Sequence, residues 1–141
     1  MGKILGWHKG SYTFSCILML SNTGRVTGGE IVMERADGKL HKLRQCETGS
    51  VVFIQGRHVV HTGLRSDGPD VRMAMVCPMW PSSPFVRDDT FLIYTRTISD
   101  TSELYGQYVE YRFSMLMERL RSCGNKVLTI VKRGQSWTLE N

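Results

Sequence analysis

Turn-forming residues interrupt the first ninety or so residues at short, regular intervals, and that punctuation restricts the chain to short strands. The breaks are Ser21-Asn22-Thr23-Gly24, Ala36-Asp37-Gly38, Gly56-Arg57 and Ser66-Asp67-Gly68-Pro69. Between them lie candidate strands at residues 4–8, 12–20, 30–34, 39–44, 50–55, 58–64 and 71–76. Asp37-Gly38 suits the type I′ turn of a tight hairpin, because both central positions of that turn need positive φ. Gly28-Gly29 reads as a strand-to-turn element, since no phosphate-binding pattern surrounds it. Strands this short and this evenly spaced point to an antiparallel sandwich or barrel, not to a parallel α/β sheet.

The pattern then changes. Pro78, Pro81 and Pro84 predict the end of the sheet and an extended loop. Asp100 with Glu103 resembles a capping box, and Ser99 is an alternative cap. Beyond it, Leu104, Tyr105, Tyr108, Val109, Phe113, Leu116, Met117 and Leu120 recur at three- and four-residue steps, which predicts an amphipathic helix packed on the outside of the sheet. Cys123-Gly124-Asn125 is its expected stop, and residues 127–131 are a candidate final strand. The expected organisation is a single domain, with a β core over residues 1–98 and a helix and tail over residues 99–141 that pack on it.

At 141 residues the chain has room for one core. No apolar run approaches the roughly 18 residues of a membrane span, and the N-terminus lacks the apolar stretch of a secretory signal. The expectation is a cytoplasmic protein without a membrane partner. The net charge of +5 is spread along the chain without an aromatic-interleaved basic stripe, so nucleic acid is not an expected partner. Cys16, Cys46, Cys77 and Cys123 are widely spaced, which fits neither a disulfide framework nor a zinc site. Cys16 and Cys77 read as small core residues.

Three residues stand out chemically. His8 follows Trp7 at the end of the first candidate strand, His61 lies in Arg57-His58-Val59-Val60-His61, and Arg72 comes eleven residues later across a Gly/Pro turn. Antiparallel order can bring two imidazoles and a guanidinium to one inward face. Two neutral imidazoles suit a divalent first-row metal, and an Arg fork suits a carboxylate. Core histidines satisfied by hydrogen bonds would leave the same trace in the sequence. Ser11, Ser15 and Ser50 have no acid–base partners that would mark a nucleophile. Trp80, between Pro78 and Pro81, reads as packing over a barrel edge or walling a pocket.

The ordered run Leu5-Gly6-Trp7-His8, Met19-Leu20-Ser21, Gly28-Gly29-Glu30, Gly49 to Arg57 with His61, and Arg72-Met73-Ala74-Met75-Val76 resembles the double-stranded β-helix core of fungal iron(II)/2-oxoglutarate-dependent oxygenases. The likeness continues through Val86-Arg87-Asp88-Asp89-Thr90, Ile98-Ser99-Asp100 and Glu110-Tyr111-Arg112-Phe113, so it spans most of the chain. The resemblance implies a jelly-roll fold and oxidative tailoring of a small substrate in secondary metabolism. It implies Fe(II) held by His8 and His61 as catalytic metal ligands. It also implies 2-oxoglutarate on that metal, with its far carboxylate on Arg72.

The chain departs from that pattern at three places. Gly10 stands where the family's His-x-Asp/Glu motif supplies the carboxylate ligand. Ala74 stands where a hydroxyl often follows the cosubstrate Arg. The family's N-terminal helices and leading strand have no counterpart. Their lack is expected to leave an unpaired edge and apolar surface for a homo-oligomer or a partner subunit. Gly10 admits several readings: halogenation with chloride at the vacated position, a non-catalytic pseudoenzyme, or a site completed by a nearby carboxylate or a partner chain. A cofactor-free isomerase or cyclase using His61 as an acid–base group is a further alternative.

Overall fold

The computed structural model describes Gly2 and residues 4–134, which form two compact units. The expected tail beyond residue 134 lies outside the described residues. One unit comprises residues 1–81 and 88–97, the other residues 82–87 and 98–141.

The first unit is antiparallel throughout. Its strands are β1 (Phe14–Met19), β2 (Thr27–Gly28), β3 (Ile31–Glu34), β4 (Leu40–Leu43), β5 (Val51–Ile54), β6 (His61–Gly63), β7 (Ser66–Asp67) and β8 (Ala74–Met79). They form three small sheets, ordered β5-β1-β8, β4-β3-β6 and β2-β7. None of these sheets closes on itself, so the structure is β-rich with a C-terminal helix, and a closed jelly-roll barrel is not what it displays.

Register decides which side chains face inward. Across the first sheet Ser15 pairs with Ile54, Ile17 with Val52 and Val76, and Met19 with Ala74. Across the second, Ile31 pairs with Leu43 and Gly63, and Met33 with His41 and His61. Ile17, Ile54 and Ile31 form one buried cluster, and Met33, Val52 and Ala74 pack against it. The two three-stranded sheets therefore share an interior. Because side chains alternate with a period of two, His61 shares a sheet face with the core residues Ile31 and Met33. The opposite face of the first sheet carries Phe14, Cys16 and Leu18 with Val51, Phe53, Met75 and Met79, and Phe53 is 66% exposed. On that face Cys16 and Cys77 are direct cross-strand neighbours, and both thiols are free.

Several boundaries differ from the sequence expectation, each for a local reason. Residues 4–8 are not a strand: Ile4 and His8 each pair with β6 through backbone hydrogen bonds, but only His8 forms a bridge. The final strand begins at Ala74 rather than residue 71 and runs through Pro78. Pro78 is tolerated because β8 is an edge strand, and its position opposite Ser15 turns its nitrogen away from β1, where no ladder hydrogen bond is needed. The Ala36-Asp37-Gly38 hairpin is not type I′. Gly38 alone has positive φ (76°), the Gly38 N–H donates to the Arg35 carbonyl, and the Arg35 N–H donates to the Lys39 carbonyl. That is a three-residue loop with glycine at the left-handed position, the arrangement of a type I turn followed by a bulge. Ser66-Asp67, expected as turn, pairs as β7 with β2.

In the second unit, α1 spans Thr101–Lys132. Asp100 caps it as expected, its side chain accepting from the Glu103 N–H at 2.9 Å. The helix passes straight through Cys123-Gly124-Asn125 and takes up residues 127–131, which are helical and not a strand. A single interior glycine costs a helix about 1 kcal/mol, and the apolar spacing continues beyond it. The stop comes instead after Arg133, the C-cap, where Gly134 adopts φ 63° and leads the chain out.

Candidate metal centre

The strongest feature of the β unit is a pair of histidines. His8 and His61 face each other as an isolated antiparallel bridge. The His8 N–H donates to the His61 carbonyl at 3.0 Å and the His61 N–H to the His8 carbonyl at 2.9 Å. A pair that exchanges both bonds projects its two side chains to the same face, and the ring centroids lie 4.5 Å apart.

Each ring is held by the same device. Nδ1 of His8 lies 2.8 Å from the Gly6 carbonyl, and Nδ1 of His61 lies 2.8 Å from the Val59 carbonyl. A carbonyl oxygen can only accept, so both Nδ1 atoms must carry the proton. In the neutral rings that leaves both Nε2 atoms as lone-pair donors. A backbone carbonyl behind the non-ligating nitrogen is also how metal-bound histidines are commonly oriented. Burial holds the His61 pKa below the ordinary imidazole value, and neighbouring His8 acts in the same direction; the Val59 hydrogen bond opposes them. His61 therefore favours the uncharged form that a cation requires.

The other residues that the sequence singles out are positioned by their own contacts. Gly10 donates its N–H to the Gly56 carbonyl at 2.7 Å, and a Cβ there would meet the Gly56 backbone at 3.4 Å. Lys9 is exposed, as expected of a solvated side chain. Arg72 lies just before β8, not within a strand, and its stem covers the Gly29 turn. A Cβ at Gly29 would meet Arg72 Cδ at 2.6 Å, and Gly29 itself has φ 74°. The structure thus brings His8 and His61 together and seats Arg72 on the β2–β3 turn. Trp80 stacks on Tyr12 with centroids 5.7 Å apart.

Two aspartates of the Val86-Arg87-Asp88-Asp89-Thr90 run, to which the sequence assigned no contacts, organise their own loop. The Asp88 carboxylate accepts from Thr13 Oγ1, from Thr90 Oγ1 and from the Thr90 N–H. Asp89 presents its carbonyl to Arg57 Nε at 3.1 Å and its carboxylate to His58 at 3.6 Å. The Asp88-x-Thr90 spacing, a carboxylate reaching the backbone two residues on, was the available signal.

The fit to an iron and 2-oxoglutarate centre is partial. Two imidazole Nε2 atoms suit two positions on a divalent metal. The third protein ligand is not assembled: Gly10 offers no donor, and among the described residues no group of three His, Cys, Asp or Glu side chains is placed to hold a metal. Comparison of the chain with family models, curated proteins and solved structures finds no match. No helix among the described residues is long and apolar enough to cross a membrane.

Proposed function

We propose that this chain is an iron(II)/2-oxoglutarate-oxygenase-like protein, of double-stranded β-helix type, in which the metal site is reduced to a two-histidine pair. The supporting observation is the doubly hydrogen-bonded His8–His61 bridge, with both Nδ1 protons fixed on backbone carbonyls and both Nε2 lone pairs left for a cation. The ordered sequence motifs support the family, and two antiparallel sheets sharing an interior are compatible with an open form of its fold. The family's activity is oxidation of small substrates. In this chain backbone carbonyls orient two imidazoles through Nδ1 and burial keeps one of them, His61, partly dehydrated, which is metal binding without a complete facial triad. Arg72 remains the candidate for a cosubstrate carboxylate, because a guanidinium presents a fork of donors matched to it. With one ligand missing, oxygenase turnover by the chain alone is absent or severely weakened.

Anaerobic titration with Co(II), followed by its visible absorption, tests this reading. Wild type should bind weakly, and His8→Ala and His61→Ala should each abolish the signal. Gly10→Asp should tighten binding at least tenfold, since its Cβ fits at contact distance from Gly56 and a carboxylate there stands where the resembled family carries its third ligand. Equal spectra for wild type and His61→Ala would sink the proposal. The same titration with Fe(II) and 2-oxoglutarate should give a charge-transfer band only in Gly10→Asp.

A further inference from the structure

We infer that Cys16 and Cys77 bind a soft monovalent cation, Cu(I), through their two sulfurs, with the thioether of Met75 or Met79 as third ligand. The inference is independent of the histidine pair, which sits at β6 of the other three-stranded sheet.

Backbone direction fixes how the two cysteines meet. The Leu20 N–H donates to the Met73 carbonyl at 2.9 Å, so the even-numbered residues of β1 aim their backbone groups at β8. Met19 aims the other way: its N–H donates to the Ser50 carbonyl at 3.0 Å and its carbonyl accepts from the Gly49 N–H at 2.8 Å. Cys16, directly opposite Cys77, therefore belongs to a hydrogen-bonded cross-strand pair, and both side chains project to one face. Both thiols are free, Cys16 buried in the central strand and Cys77 half-buried on the edge strand.

That kind of pair is wide for a disulfide and suited to an ion. Hydrogen-bonded cross-strand pairs hold their Cβ atoms about 5.5 Å apart. A relaxed disulfide needs about 3.8 Å, so direct oxidation would pull the strands together against their ladder. An ion between the sulfurs takes up the difference, since a metal–thiolate bond is itself about 2.3 Å long.

The neighbours choose the metal. Side chains alternate with a period of two, so Met75 and Met79 flank Cys77 on the same face, opposite Leu18 and Phe14. Each lies about 7 Å along the strand from Cys77, a gap that the three rotatable bonds of methionine span. Met75 is 44% exposed and Met79 39%, so both thioethers are within reach of solvent and of an arriving ion. Zinc favours four nitrogen, oxygen or thiolate ligands, and among the described residues no three His, Cys, Asp or Glu side chains are placed to hold a metal. Two thiolates with a thioether are instead the soft set that selects Cu(I). The apolar walls given by Leu18 and Phe14 disfavour a hydrated hard cation. Binding releases the two thiol protons to solvent, transfers no electron and leaves copper as Cu(I).

Anaerobic titration of the full chain with Cu(I), in competition with the coloured chelator bicinchoninate, tests the site. Wild type should withdraw one equivalent of copper from the chelator. Cys77→Ser should weaken binding by roughly a hundredfold with unchanged far-ultraviolet circular dichroism, while Cys46→Ser and Cys123→Ser should leave it as in wild type. Met75→Leu combined with Met79→Leu should weaken it by roughly tenfold. Iodoacetamide labelling of wild type, read by mass spectrometry, needs no variant: Cu(I) should slow the labelling of Cys77 and leave Cys123 reactive. No copper withdrawn by wild type overturns the inference. So does undiminished binding by a folded Cys77→Ser, as capture by the histidine pair or by Cys46 and Cys123 would give. Labelling of Cys77 that Cu(I) does not slow overturns it as well, and full affinity in the double methionine variant overturns the thioether ligand.

Discussion

The β unit and the helical unit bury apolar surface in opposite ways. In the β unit, residues far apart in sequence meet: Ile17, Ile31 and Ile54 come from three strands, and the histidine pair joins positions 8 and 61. In the helical unit, contacts are mostly local and a regular apolar seam is left facing outward. The difference teaches where each property resides. The β unit's site exists only because register is correct, whereas the helix would present its seam whatever the rest of the chain did.

Substitutions should separate the two. The largest effect is expected from Ile17→Ala, which empties part of the shared interior of the two sheets and should cost about 2–5 kcal/mol. Denaturant unfolding followed by tryptophan fluorescence measures it, since Trp7 and Trp80 both lie in the β unit. A change well under 1 kcal/mol would show that the sheets are not held by this cluster. A smaller effect, of opposite sign, is expected in the helix. Gly124→Ala should stabilise it by about 1 kcal/mol, because the site is helical and a Cβ there meets nothing within 4 Å. The ellipticity at 222 nm on warming reports the gain, and a loss would mean that the helix does break at Gly124.

The smallest expected effect concerns Tyr12. Burial raises its pKa above the ordinary tyrosine value, against a weaker opposing effect from a hydrogen bond with Thr95. The neutral phenol is therefore favoured in the folded state. That contribution is fully present below the ordinary value of about 10 and is lost as pH rises through the higher folded value. Wild type should thus lose slightly more stability than Tyr12→Phe between about pH 9 and pH 11. Identical losses would place Tyr12 in open solvent and detach it from the Trp80 stack.

Much of the local structure was legible before any coordinates. The Asp100 cap, the helix that follows it, the antiparallel β class and the proximity of His8 to His61 all followed from residue types and spacing, the last with help from a family resemblance. The misreadings share one cause, which is that a breaker residue was weighed without its surroundings. Gly124 was read as a stop, but the apolar seam on both sides outweighs one glycine. Pro78 was read as the end of the sheet, but only an edge strand could tolerate it, and which strand lies at an edge is a long-range fact. Asp88 was read as part of a motif, while its work of tying Thr13 to Thr90 needed the two segments brought together.

By itself, the sequence determined the periodicities: short strands of period two, one helix with apolar residues at three- and four-residue steps, and the types of the residues at positions 8, 10 and 61. These are local, because backbone geometry alone fixes which neighbours share a face. Only the tertiary structure decided that His8 and His61 lock through two backbone hydrogen bonds, with both Nδ1 atoms on carbonyls, and that Arg72 rests on Gly29. Those outcomes depend on strand register, and register is set by how the Ile17, Ile31 and Ile54 side chains fill one shared interior.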